Sequence, residues 1–123
     1  MYSYNSYHKI ITIGLVFLWA IFQFGGSVED DLVYENGQAK RTGEQLNNLN
    51  QGTWTWYYPN GKVELTGKYE SGKRIGIWKN FDAKGNLTLE RTYAVGKLNG
   101  STTKFNETGD VAYVNNFKNG QKQ

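Results

Sequence analysis

The sequence predicts an all-β fold, an elongated antiparallel meander of about four stacked 24-residue β-hairpins preceded by an N-terminal hydrophobic helix. Three observations predict it. Glycines recur on a step of 24: Gly37, Gly61, Gly85, Gly109; Gly52, Gly76, Gly100; and Gly72, Gly96, Gly120. Apolar residues keep that step, with Val33, Tyr57, Phe81 and Phe105 in one column and Tyr69, Tyr93 and Phe117 in another, and no insertion is needed from Val33 to Gly120. The composition agrees: 15 Gly, 15% aromatic residues and a single Pro among 123 residues suit short strands joined by tight turns. A fixed period of this length marks a repeat architecture, because one hairpin cannot bury its apolar face alone.

The chain opens with a polar stretch to Lys9, an apolar run from Ile10 to Phe22, and then Gly25-Gly26-Ser27 before the acidic Glu29-Asp30-Asp31. A basic start, a short apolar core and small residues at the exit read as a secretory signal peptide over residues 1–27, cut before Val28. A helix over residues 10–24 is about 22 Å long, short of the ~30 Å hydrocarbon core. The alternative reading is an uncleaved signal anchor over the same residues. The protein is therefore expected to be exported, periplasmic or secreted, or else tethered by residues 10–24. The repeat domain is expected over 28–123, in units of about 29–52, 53–76, 77–100 and 101–123.

Each unit reads as one hairpin. Pro59-Asn60-Gly61 is a turn, since Asn and Gly tolerate positive φ; Asn36-Gly37, Lys84-Gly85 and Thr108-Gly109 occupy the same place. Beyond the turn, Val63, Leu65 and Tyr69 alternate with Lys62, Glu64, Thr66 and Lys68, the period-two pattern of a strand with one dry face. The preceding strand carries Tyr57, Phe81 or Phe105. Trp54 and Trp78 lie three residues earlier, which places them on the opposite face unless a bulge intervenes; Gly52 and Gly76 suit a bulge near the strand start. Ser71-Gly72 and Val95-Gly96 turn the chain into the next hairpin. The ends are degraded: Ala39, Arg41 and Gln45 replace apolar residues in the first unit, and Thr102 replaces the Trp in the last, as expected of caps facing water.

Composition also limits the chemistry. Without Cys there is no disulfide, thiolate metal site or cysteine nucleophile, and the one imidazole, His8, precedes the repeats. Glu64 and Glu90 read as solvated strand residues, and Gly72-Lys73-Arg74-Ile75-Gly76 has phosphate-loop glycines but no helix after it. The protein is therefore expected not to be an enzyme and to hold no cofactor or metal; the acidic run at 29–31 reads as a solvated tail. A formal charge of +3 is too mild and too scattered for a nucleic-acid binder.

The pattern G-x-W-x-x-Y/F, N-G-K and G-x-Y-x-x-G-K-x-x-G resembles the MORN repeat, and more closely the bacterial variant grouped as the YwqK-type antitoxin family. It is carried by Gly52, Trp54, Tyr57, Asn60, Gly61, Lys62, Gly67, Tyr69, Gly72, Lys73 and Gly76, and again by Gly76, Trp78, Phe81, Gly85, Tyr93, Gly96, Lys97 and Gly100. Arg91 departs from it where Gly is usual. The resemblance spans about residues 33–120. It implies a twisted sheet of stacked hairpins acting as a binding or scaffolding surface for proteins or acidic phospholipids, not a catalyst; the antitoxin grouping implies neutralisation of a partner toxin.

Two surfaces are candidates for binding. Trp54, Trp56, Tyr58 and Trp78 form an aromatic set. Trp54 and Trp78 repeat and are expected to pack one unit on the next, while Trp56 and Tyr58 give way to Asn80 and Asp82 in the following unit, so packing does not require rings there. Exposed Trp and Tyr favour protein or glycan contact, the alternative for Trp56 and Tyr58 being a local packing role. Lys73, Arg74, Lys97 and Lys118 lie in or beside the turns between hairpins and form a basic edge suited to an acidic partner or an anionic membrane. The expected partner is another protein, with an anionic membrane surface as the alternative and self-association through open sheet edges as a further expectation.

Overall fold

The computed structural model describes residues 32–123. The expected signal segment at 1–27 and the acidic run at 29–31 lie outside the described residues. Eight strands follow one another as β1 (Arg41–Leu46), β2 (Leu49–Tyr57), β3 (Val63–Glu70), β4 (Lys73–Phe81), β5 (Leu87–Ala94), β6 (Lys97–Phe105), β7 (Val111–Lys118) and β8 (Gln121–Lys122). They form one antiparallel sheet in sequence order. An isolated bridge, Val33 to Ala39, precedes β1.

Two kinds of connection alternate. At one end of the strands are two-residue turns with both residues at positive φ: Asn47-Asn48 (52° and 64°), Ser71-Gly72 (48° and 80°), Val95-Gly96 (45° and 83°) and Asn119-Gly120 (50° and 82°). This is the type I′ geometry, whose twist matches that of the strands it joins. The Gly N–H of three of these turns donates to a carbonyl of the preceding hairpin: Gly72 to Asn50, Gly96 to Arg74 and Gly120 to Leu98. At the other end are longer loops beginning at residues 34, 58, 82 and 106, each closed by backbone bonds such as Tyr58 N–H to Lys62 O and Gly61 N–H to Tyr58 O. Asn36, Asn60, Asp82 and Asn106 brace these loops from within, each accepting backbone N–H bonds two residues on, the self-capping for which Asx residues are favoured in turns.

The ladder slips twice per unit. Between β1 and β2, Thr42 faces Thr55 but Glu44 faces Gln51, so three residues of β2 lie against Gly43. The same slip sets Gly76, Ile77 and Trp78 against Gly67. Gly52 and Gly76 adopt φ of 70° and 65°, so the expected bulge at the strand start is present. A second slip, at Trp56/Tyr57 and Asn80/Phe81, leaves Glu64 and Thr88 as the extra residues on the following strand. It ends the alternation read over Val63 and Leu65: Leu65 faces Trp56, whereas Val63 faces Tyr57.

The two faces differ. One carries Trp54, Trp56, Leu65, Tyr69, Trp78, Leu89 and Tyr93. The other carries Thr55, Thr66, Lys79, Glu90 and Thr103, opposed in sequence across neighbouring strands; there the Thr55 and Thr66 hydroxyls bond at 3.2 Å and Lys79 pairs with Glu90 at 3.7 Å. The only buried apolar side chains among the described residues are Trp54 (8% exposed) and Trp78 (0%). No second layer covers either face among these residues. At ~25 cal/mol per Å², enclosing about 200 Å² of one indole contributes about 5 kcal/mol, so these two rings dominate the packing of a single-layer sheet.

Candidate functional site: the ring-bearing face

Trp78 owes its burial to a missing side chain. A Cβ on Gly67 would fall inside the Trp78 indole, and one on Gly43 inside that of Trp54. Each indole lies flat on the glycine of the preceding strand, 11 residues earlier, and its Nε1–H reaches the carbonyl beside that glycine: Trp78 to Lys68 O at 3.2 Å, Trp54 to Glu44 O at 3.0 Å. The aromatic set closes round these two. Tyr69 stands edge-on to Trp78 at 4.9 Å and to Trp54 at 6.2 Å, and Tyr93 edge-on to Trp78 at 6.2 Å, the arrangement that ring quadrupoles favour.

Trp56 bridges the two locked indoles, 5.9 Å from Trp54 and 5.8 Å from Trp78. It remains half-buried, with sheet beneath it and no second layer above it among the described residues. Of the expected aromatic set, Trp54, Trp56 and Trp78 thus share one face. Tyr58 does not join them. It sits at the start of a long loop and its hydroxyl donates to Phe81 O at 2.7 Å, as the Tyr34 hydroxyl does to Tyr57 O at 2.8 Å. Tyr58 therefore has a local role, the alternative to partner contact at this position. The signal was the 24-residue step back to Tyr34. Burial, then the negative charges of Glu64 and Asp82, push the Tyr58 hydroxyl above its usual range.

The expected basic edge divides likewise. Lys73, Lys97 and Lys118 stand exposed beside the two-residue turns. Arg74 is not part of that edge. Its guanidinium covers Trp78 at 4.4 Å and Tyr93 at 5.5 Å and reaches the Tyr93 hydroxyl at 3.3 Å. Burial pulls its pKa down, but hydrogen bonding to Tyr69 and Tyr93 outweighs this and the net shift is upward. Cation–π contact of this kind is worth about 0.5–2 kcal/mol. Sequence reading missed Arg74 as a ring cover because Lys73 and Lys97 disguise it as one of a row of turn bases.

The same row of turns carries exposed apolar residues: Leu46 (62%), Leu49 (47%) and Val95 (66%). Val95 is unusual, because a β-branched residue at φ 45° is disfavoured by about 1 kcal/mol or more. The sister turns use Asn47, Ser71 and Asn119 there.

Elsewhere the surface offers little chemistry. A shallow hollow of about 310 Å³ lies between two long loops, with Leu87, Phe105 and the single carboxylate Glu107 along it. Among the described residues no three His, Cys, Asp or Glu side chains converge, and no helix is long and apolar enough to cross a membrane.

With this geometry in view, two segments of the chain, residues 50–71 and 74–94, match the MORN repeat variant. They correspond to the hairpins β2–β3 and β4–β5, each with its Trp strand, long loop and Tyr strand. No curated protein matches the chain. MORN repeats are often protein- or membrane-binding modules.

Proposed function

We propose that the protein is an exported, non-enzymatic binding module that docks another protein on its ring-bearing face. The observation that carries this is Trp56, a half-buried indole held between two locked indoles on a face that no second layer covers among the described residues. Its repeat equivalents are Asn80 and Lys104, so the fold tolerates polar residues there. A rigid Trp loses little entropy on docking, and such anchors dominate interface energetics. Leu65 beside it and the Arg74 guanidinium nearby supply apolar and charged contacts around it. An antitoxin role, implied by the resemblance, is the case in which that partner is one toxin bound as a tight pair.

The test is Trp56→Asn, which places at this position the residue the next unit uses. It should cost about 1–2 kcal/mol of stability and abolish recovery of the partner that the wild-type chain retains from host envelope extracts. Undiminished recovery by a folded Trp56→Asn chain contradicts the reading.

A second reading is favoured by the turn row, where exposed Leu46, Leu49 and Val95 lie among Lys73, Lys97 and Lys118. Apolar tips beside lysines suit an anionic membrane surface. A strained, exposed Val at a turn tip contributes no buried packing, and strain of this sort tends to mark function. Val95→Asn should then stabilise the fold by about 1 kcal/mol while lowering sedimentation with phosphatidylserine vesicles at low salt. Unchanged sedimentation removes this reading.

A further inference from the structure

The first two long loops are each tied to the next by their own side chains. The Asn36 amide donates to Pro59 O at 2.7 Å, and the Asn60 amide to Ala83 O at 2.9 Å. Two residues further on, Gln38 lies over Gly61 and Lys62 over Gly85: a Cβ on these glycines would meet the overlying side chain at 3.1 and 3.8 Å. The Lys62 ammonium continues to Lys84 O, to which it donates at 2.9 Å. The 24-residue step puts Lys84 and Asn86 in these two places between the third loop and the fourth. Neither makes the tie. Asn86 turns back into its own loop, its amide donating to Asp82 Oδ2 at 3.2 Å. Lys84 is exposed. A Cβ on Gly109 would meet no atom within 4 Å, and the hollow of about 310 Å³ lies at this crossing.

We propose that this hollow is a docking slot for a lysine side chain of a partner protein. Lys62 shows what such a crossing accepts: an alkyl stem over the loop glycine and an ammonium on the carbonyl one residue before it. The corresponding glycine and carbonyl here are Gly109 and Thr108 O. The crossing also gains charge of the complementary sign. Pro59 and Ala83 give way to Glu107 in the fourth loop, so the carboxylate stands at the one crossing of the three from which the chain withdraws its own filler. Leu87 and Phe105 line the hollow and receive the methylene stem, while the ammonium takes Thr108 O and the Glu107 carboxylate. Lysine buries its stem and keeps its head charged in just such places, and the bond to a carboxylate is charge-assisted. A single carboxylate along the hollow matches one ammonium, which favours a lysyl chain over a free diamine. The slot shares no residue with the aromatic set, so it stands independently of docking on the ring-bearing face.

The test is titration of Nα-acetyl-lysine N-methylamide into the isotope-labelled full-length chain, kept soluble in a non-ionic detergent and followed by backbone amide shifts. Saturable shifts are expected at Gly85, Thr108 and Gly109, and not with the uncharged norleucine analogue. Glu107→Gln should weaken the probe about tenfold, as loss of one charge-assisted contact does. Asn86→Lys, which gives this loop the filler of the preceding one, should raise the melting temperature and weaken the probe to a similar extent. Absence of saturable shifts overturns the proposal, as do equal shifts with the norleucine analogue or binding indifferent to Glu107→Gln. An Asn86→Lys chain that is no more stable and binds the probe unchanged also overturns it. Tighter binding of cadaverine than of the lysine probe overturns it in favour of a free diamine.

Discussion

An indole can lie flat against a β-strand only where the strand presents no Cβ, and Gly67 and Gly43 supply those two places under Trp78 and Trp54. Gly67→Ala should therefore cost about 2–3 kcal/mol, the range for overpacking a filled site. Gly76→Ala, where no atom lies within 4 Å of the added Cβ but φ is 65°, should cost about 1 kcal/mol from backbone strain. Urea denaturation of both variants checks the order. A second residue-scale effect belongs to Asp82. Backbone N–H bonds, from Asn86 first, hold its carboxyl below its ordinary 3.8. Its contribution is thus present above that value and lost as pH falls through the lower folded value. Asp82→Asn imitates Asn106 at the equivalent place, and thermal melts from pH 5 to pH 2 should show a smaller acid-induced loss in the variant. These roles were only partly legible: the glycine columns showed in the sequence, but Gly67 looked like a gap in an alternating strand, because its use depends on a ring 11 residues away.

At the scale of the element, two departures from the repeat become one. Arg91 stands where Gly43 and Gly67 stand, and Thr102 where Trp54 and Trp78 stand; Arg91 and Thr102 face each other across β5 and β6. With no indole at 102 there is no need for glycine at 91. The Arg91 side chain remains on this face and its Nη2 donates to Asn80 Oδ1 at 2.8 Å. The substitution is incomplete, since Arg91 Nε and Thr102 Oγ1 are buried without a hydrogen-bond partner, a cost of about 1–3 kcal/mol for such a group. A third lock should be installable. Thr102→Trp alone, placed against Arg91, should destabilise. Thr102→Trp with Arg91→Gly should exceed the sum of the single changes by at least about 1 kcal/mol, in the stabilising direction, in a double-mutant cycle. Sequence reading registered each departure separately, because residues 91 and 102 become neighbours only once the strand register is known.

For the described sheet as a whole, the 24-residue step predicted the strands, the turns and their order well, since turn chemistry and alternation are local signals. The distribution of function over the two faces was less legible. The slips at Glu64 and Thr88 shift which residues share a face, and Arg74 and Tyr58 take their roles from contacts 19 and 23 residues away. The central claim is that partners dock on the ring-bearing face, and photo-crosslinking within one strand tests it most directly. A photoreactive residue at Leu65, opposite Trp56 on β2, is compared in the living host with one at Lys68, exposed on the other face of β3. The account predicts a discrete adduct from position 65 that is absent from position 68 and lost on adding Trp56→Asn. An adduct formed from position 68 instead, or one from position 65 that survives Trp56→Asn, would contradict it.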